Sequence, residues 1–108
     1  DNPDIHYNLG IIYFSKGFLE KAKEQYEITL RLDSNHAKAF NNLGNVYLLR
    51  GDIENAIGYY SRAIQLNPDY SRAYSNLSAA YRKKGLYNLA EEYQRISENL
   101  KLIEKQQK

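Results

Sequence analysis

Few residues of this chain have side chains that commonly do catalytic or metal chemistry, and their spacing does not favour it. Among 108 residues there is no cysteine, so neither a thiolate nucleophile nor a thiolate metal site can form. The two histidines, His6 and His36, lie far apart, and no His-x-x-x-His pair, carboxylate triad or glycine-rich phosphate loop appears. We therefore expect no enzymatic activity, no metal and no cofactor.

Asparagine is the polar residue with the most regular spacing. Asn8, Asn42 and Asn76 follow one another at a step of 34 residues. A carboxamide offers two donor hydrogens and an acceptor oxygen, so a row of them can hold a peptide backbone without reading its side chains. The alternative is that these amides bond to water or to neighbouring helices.

The same step extends to the whole chain and predicts a repeat protein. Other sets that keep it are Tyr13, Tyr47 and Tyr81; Gly17, Gly51 and Gly85; Ala22, Ala56 and Ala90; and Leu32, Leu66 and Leu100. We expect three units, at about 3–36, 37–70 and 71–104, within a single domain that covers 1–108.

Each unit has the pattern of two helices joined by a turn. In unit two, Phe40, Leu43, Val46 and Tyr47 recur at helical spacing, and Gly51 follows at a position typical of a left-handed helix end. A second helical pattern comes next and stops at Pro68, because proline cannot continue a helix. No segment alternates with period two, so we predict an all-α solenoid of three tandem helix–turn–helix units.

These residues resemble the tetratricopeptide repeat family, whose unit is a 34-residue helix–turn–helix. Unit two matches the family pattern at Leu43, Gly44, Tyr47, Gly51, Ala56, Tyr60, Ala63 and Pro68. Unit one departs from it at Thr29 and Ser34, and unit three departs at Ser78, Gln94, Ser97 and Leu102. The resemblance specifies the fold well and the function weakly, because this fold serves many unrelated partners.

Unit three lacks the final proline, so its last helix can continue. A stripe with alternating steps of four and three comprises Leu89, Tyr93, Ile96, Leu100 and Ile103. It predicts one helix from about residue 87 to about residue 105. We interpret this helix as the terminal cap of the solenoid, with packing on a following repeat as the alternative. No matching cap precedes unit one, so Ile5 and Ile12 are expected on an exposed edge.

In tetratricopeptide proteins the first helices of successive units line a concave groove that holds extended peptides, and the resemblance implies which side chains line it here. They are Tyr7, Asn8, Ile11, Phe14, Lys38, Asn41, Asn42, Asn45, Arg72, Asn76, Arg82 and Lys83. The groove is then aromatic and aliphatic at its unit-one end and basic at its unit-three end. We expect a protein or peptide ligand with an apolar segment and an acidic end.

Two resemblances within the family refine this expectation. The asparagine row is similar to the ladder in the repeat domain of O-GlcNAc transferase, which holds extended peptides. Chaperone-binding members use a carboxylate clamp, whose positions correspond here to Tyr7, Ile11, Asn42, Arg72 and Asn76. Only Asn42 matches outright, so we do not expect a chaperone-tail adaptor of the usual kind, although Arg72 can support a weaker carboxylate site.

Charge and hydropathy restrict the partner further. The chain has 15 basic and 13 acidic residues for a net charge of +2, which argues against nucleic acid because that partner needs a basic stripe. No apolar run approaches the roughly 20 residues of a membrane span. The lack of cysteine favours the cytoplasm, and a start at Asp1 indicates a segment of a longer protein.

The sequence thus predicts a non-catalytic protein–protein interaction module that binds an extended peptide in its concave groove. Two alternatives stay open. One is a structural scaffold that forms homo-oligomers through the uncapped first unit. The other is the substrate-recruiting repeat arm of a larger enzyme.

Overall fold

The computed structural model describes residues 1–107, which form six α-helices and no strand. The helices are α1 (Pro3–Ser15), α2 (Leu19–Leu32), α3 (Ala37–Leu49), α4 (Ile53–Leu66), α5 (Ser71–Lys83) and α6 (Tyr87–Gln106). Helix α1 packs on α2, α3 on α4 and α5 on α6, while α2 on α3 and α4 on α5 join successive pairs. The predicted all-α solenoid is confirmed.

Local signals in the sequence define where the helices begin and end. The Asn2 side chain accepts a hydrogen bond from the Asp4 backbone at 2.9 Å, and His36 Nδ1 accepts one from the Ala39 backbone at 3.1 Å. Both side chains cap a helix by satisfying a backbone N–H that has no partner inside it.

The turn inside each unit depends on one glycine. Gly17, Gly51 and Gly85 all have φ of +82°, a left-handed conformation that side chains with a Cβ rarely adopt. In unit two, the Gly51 N–H donates to Leu48 O at 3.1 Å and the Asp52 N–H donates to Tyr47 O at 2.9 Å. This Schellman arrangement ends α3 and turns the chain into α4.

Two clusters of buried side chains hold successive units together. The first contains Ala22, Tyr26, Leu43 and Val46. The second contains Ala56, Tyr60, Leu77 and Ala80. Each cluster combines the second helix of one unit with the first helix of the next, so burial between units is what stabilises the array.

Glycine–tyrosine pairs determine how closely the two helices of a unit pack. A Cβ added at Gly10 would lie 2.5 Å from Tyr26 Cε1, and one added at Gly44 would lie 2.6 Å from Tyr60 Cε1. Unit three has Ser78 and Gln94 at the same two positions, and the Ser78 hydroxyl donates to Ala90 O at 2.6 Å. Unit three therefore departs from the family pattern at both positions of this pair.

Helix α6 has a polar surface where the corresponding face of α4 is apolar. In α4, Ile57, Tyr60 and Ile64 pack toward α5. The corresponding positions of α6 are Glu91, Gln94 and Glu98, which with Arg82 and Arg95 line an open depression. A further repeat would have to bury these charges, which is costly.

The apolar stripe predicted along α6 is only partly covered. Ile96 is 36% exposed and Ile103 is 49% exposed. Helix α6 has 20 residues and α5 has 13, so the last turns of α6 extend beyond the helix on which it packs. No helix among residues 1–107 is both long and apolar enough to cross a membrane.

Candidate functional site

The first helices of the three units present two neighbouring pockets. One, which we name the apolar pocket, has a volume of about 180 Å³ and lies between units one and two. Its lining consists of Ile11, Phe14, Tyr26, Asn42 and Asn45. The Tyr26 ring is 1% exposed and forms the base of the pocket, while Ile11 is 40% exposed and is accessible to a ligand.

Tyrosine hydroxyls orient the two amides of the apolar pocket. Asn42 Nδ2 donates to Tyr7 Oη at 3.3 Å and to Tyr26 Oη at 3.5 Å. Tyr60 Oη donates to Asn45 Oδ1 at 2.5 Å. Both amides are held before any ligand arrives, which reduces the entropy lost on binding.

Burial also changes the acidity of these phenols. It raises the pKa of Tyr26 to about 12, although the hydrogen bond from Asn42 partly offsets it. It raises the pKa of Tyr60 as well. Both phenols therefore stay protonated across the physiological range, and Tyr60 remains a hydrogen-bond donor to Asn45.

The asparagine row connects units to one another. Asn42 donates to Tyr7 of unit one, and Asn76 Nδ2 donates to Asn41 Oδ1 of unit two at 2.9 Å. Asn8 lies on α1 and is exposed. Asn42 and Asn76 thus bond to neighbouring helices, which is the alternative to backbone binding. The Asn8 side chain remains exposed.

Asn41 is a correction to the predicted groove. It has no exposed surface, so it cannot touch a ligand. Its Oδ1 accepts from Asn76 and its Nδ2 donates to Asn42 Oδ1 at 3.3 Å. Stacking of unit three on unit two buries this side chain, and its role is to hold two groove amides in place.

The second cavity, which we name the basic pocket, has a volume of about 300 Å³. Its lining consists of Tyr7, Lys38, Tyr70, Ser71, Arg72 and Glu104. Lys38 and Arg72 belong to the first turns of α3 and α5. Both are exposed, and neither forms an ion pair within 4.0 Å in residues 1–107.

Arg72 influences the two phenols of the basic pocket. Burial raises the pKa of Tyr7 and of Tyr70, and the positive charge of Arg72 works in the opposite direction at both. Protonated phenols beside two cations make this pocket suited to an anionic group that accepts hydrogen bonds.

Sequence reasoning missed Tyr70 and Glu104 as members of this site. They occupy the last position of units two and three, one and two repeat steps after His36. The His36 ring lies 4.8 Å from the Tyr7 ring. The repeat step at the unit ends is the sequence signal that relates Tyr70 and Glu104 to His36.

The basic residues predicted at the unit-three end of the groove are spread along α5 and do not form one cluster. Arg72 and Arg82 stand near opposite ends of α5, about 15 Å apart along the helix axis. Arg82 lies beside Glu91 and Glu98, and Lys83 is exposed in the last turn. Only Arg72 therefore shares a pocket with Lys38.

Comparison with known sequences agrees with the repeat. Profiles described as tetratricopeptide repeat match residues 37–70 and 59–92, and one described as TPR repeat matches residues 10–49. Together they cover residues 10–92. The chain belongs to the tetratricopeptide repeat family. No curated protein sequence is significantly similar to this tetratricopeptide repeat domain.

Solved structures similar to the domain include two of MamA. One has 27% identity and a TM-score of 0.89 over 97% of this chain and 61% of the MamA chain. The other has 28% identity and a TM-score of 0.83 over 92% of this chain. The domain thus spans 61% and 54% of the length of these two MamA chains.

Another similar structure is the second TPR domain of Spaghetti (RPAP3) bound to the HSP90 peptide SRMEEVD. It is 25% identical, with a TM-score of 0.87 over 93% of each chain. This relative is a domain of nearly the same length as the present one.

Proposed function

We propose that this tetratricopeptide repeat domain binds an extended segment of a protein partner in its concave groove. In this complex an aliphatic side chain fills the apolar pocket and an acidic group lies at the basic pocket. The observation that carries the proposal is the hydrogen bond between Asn42 and Tyr7. Asn42 lines the apolar pocket and Tyr7 lines the basic pocket, so one short segment can occupy both.

The orientation of the groove amides supports an extended ligand. An extended chain directs successive side chains to opposite sides and presents backbone N–H and C=O groups between them. Asn42 and Asn45 have fixed amides at the apolar pocket. They can pair with the ligand backbone while Ile11 and Phe14 contact a side chain.

Similarity to a peptide-bound domain also supports the proposal. The second TPR domain of Spaghetti (RPAP3) is bound to the peptide SRMEEVD, which ends in Glu-Glu-Val-Asp. The present chain has Lys38 and Arg72 at its basic pocket but keeps only Asn42 of the clamp pattern outright. We therefore propose an acidic ligand other than the usual chaperone tail.

We assign no catalytic step to this domain. His6 Nδ1 lies 2.8 Å from Gln25 Oε1, and His36 caps α3, so both histidines have structural partners. A role as the recruiting arm of a larger enzyme would use the same groove and the same contacts.

The groove can be tested with peptides selected from a random dodecamer display library against the whole chain. Ile11→Ala should reduce the affinity of the domain for the selected peptides about tenfold, because it removes apolar surface from the apolar pocket. Fluorescence anisotropy gives the affinity, and circular dichroism checks that helicity is retained.

Ile12→Ala is the matched control, since Ile12 is the next residue, is 49% exposed and does not line the pocket. Its affinity should equal that of the wild type. Equal peptide affinities for the wild type, Ile11→Ala and Ile12→Ala would reject the apolar pocket as the peptide-binding site. Asn42→Ala is a poorer probe, because it also breaks contacts with Tyr7 and Tyr26.

Self-association is a second candidate, favoured by the uncovered face of α1. Ile5 is 61% exposed and Ile12 is 49% exposed, whereas the corresponding Ala39 and Val46 of unit two have no exposed surface. The polar surface of α6 is a poor partner for this face. We therefore propose that two copies pair α1 against α1, about a two-fold axis.

Sedimentation at several concentrations tests this pairing. The wild type should move from monomer toward dimer as concentration rises, and Ile5→Lys should stay monomeric because burying an unpaired ammonium is costly. Ile103→Lys is the control, since Ile103 is also 49% exposed but lies on α6; it should dimerise normally. A wild type that remains monomeric throughout would exclude the second candidate.

A further inference from the structure

We infer that Glu104 is an internal competitor for the basic pocket and limits the affinity of the groove for acidic ligands. This inference rests on the proposed function, because it concerns regulation of the same groove. It assigns a regulatory role to the C-terminal end of α6.

The position of Glu104 is the first argument. Its Oε1 accepts a hydrogen bond from Ser71 Oγ at 3.3 Å, and its side chain lines the pocket that also contains Lys38 and Arg72. Ser71 and Arg72 are the first two residues of α5. A carboxylate of the chain itself thus lies where an acidic group of a ligand would be attracted.

Comparison among the units explains how the carboxylate comes to be there. The last position of each unit holds His36, Tyr70 and Glu104 in turn. His36 and Tyr70 lie in the turns between units, immediately before α3 and α5. Unit three has Leu102 where unit two has Pro68, so α6 continues to Gln106 and includes Glu104 in a helix.

The charges around the basic pocket determine how strongly it attracts an acidic ligand. Lys38 and Arg72 contribute two positive charges, and neither lies within ion-pair distance of Glu104. An acidic ligand is therefore attracted by both cations and repelled by one anion. Glu104 is exposed, so solvent and salt weaken its repulsion without removing it. The pocket then favours a single negative charge over a more acidic group.

The effect can be measured without knowing the natural partner. The probe is N-acetyl-glutamate methylamide, which carries one side-chain carboxylate, titrated into the ¹⁵N-labelled chain. The backbone amides of Ser71 and Arg72 report binding by chemical shift. Glu104→Gln should bind this probe about three- to tenfold more tightly than the wild type at low salt. The neutral glutamine analogue should bind no variant measurably.

Glu98→Gln is the matched control, since it removes the same charge from α6 but lies in the open depression beside Arg82. It should bind the probe as the wild type does. Adding salt should reduce the gain from Glu104→Gln. Equal affinity of Glu104→Gln and Glu98→Gln, or no shift at Ser71 and Arg72 in any variant, would overturn the inference.

Failure here is distinguishable from failure of the proposed function. The peptide assay with Ile11→Ala depends on the apolar pocket, in which Glu104 takes no part. If Glu104→Gln did not tighten probe binding while Ile11→Ala still weakened peptide binding, the competitor role of Glu104 would be rejected. The proposed peptide-binding groove would be retained. Thermal unfolding of Glu104→Gln should match the wild type, which would exclude a change in folding as the cause.

Discussion

Gly44→Ala is expected to destabilise the domain by about 2–3 kcal/mol, although alanine is normally the better helix former. The new Cβ would lie 2.6 Å from Tyr60 Cε1 and 2.7 Å from Cδ1. Tyr60 has no exposed surface, so its ring cannot move aside without displacing the packing between units two and three. Urea unfolding measured by circular dichroism gives the change in free energy.

Gly58→Ala is the matched control on the neighbouring helix. Gly58 lies within α4 and its φ is not positive; apart from its chain neighbours and its own helix backbone, no atom lies within 4 Å of an added Cβ. The same substitution should therefore stabilise the domain by about 0.5–1 kcal/mol through helix propensity alone. If both variants changed stability in the same direction, the close approach of Gly44 and Tyr60 would not be the determining contact.

A double-mutant cycle can test the coupling between the two positions. Gly44→Ser combined with Tyr60→Gln reproduces the pair found in unit three as Ser78 and Gln94. The double variant should be more stable than the sum of the single changes predicts, with a coupling energy of about 1 kcal/mol or more. Additive effects would mean that the unit-three departures are independent.

The second large effect is a loss of stability in alkali. Burial raises the pKa of Tyr26 from 10.0 to about 12, so the folded state favours the protonated phenol. That contribution is complete below pH 10, where the unfolded phenol is also protonated, and is lost as the pH rises toward 12. A shift of this size corresponds to a loss on the order of 2–3 kcal/mol.

Urea unfolding at several pH values between about 9 and about 12 would measure this loss of unfolding free energy. The range extends to the raised pKa of Tyr26. In Tyr26→Phe the free energy of unfolding should decline less steeply with pH, because this variant has one buried phenol fewer. Tyr87→Phe is the control, since Tyr87 is 63% exposed, and its decline should match the wild type. An identical slope for all three proteins would show that Tyr26 does not contribute.

The candidate site was only partly predictable from the sequence. Ile11, Phe14, Asn42 and Asn45 do line one pocket together, because residues three and four apart share a helix face. Asn41 was predicted on the same surface but is buried. One residue of helix rotation separates it from Asn42, and the packing of unit three decides which of the two meets solvent.

The basic pocket was less predictable still. Lys38 and Arg72 follow from the repeat step, but Tyr70 and Glu104 come from unit ends, and Glu104 reaches the pocket from α6. Whether the last turns of a helix fold against a distant residue such as Ser71 depends on the angle between helices. That angle is a property of packing and cannot be read from the periodicity of one segment.

The sequence by itself determined the repeat, the all-α fold and the positions of the turns. These features depend on local signals, namely apolar periodicity, a glycine at each left-handed turn and a capping side chain at a helix start. Tertiary structure alone decided which asparagines are buried, that Arg72 and Arg82 are separated, and that Glu104 lines the basic pocket. Those outcomes depend on how neighbouring helices exclude water from one side chain and leave the next one exposed.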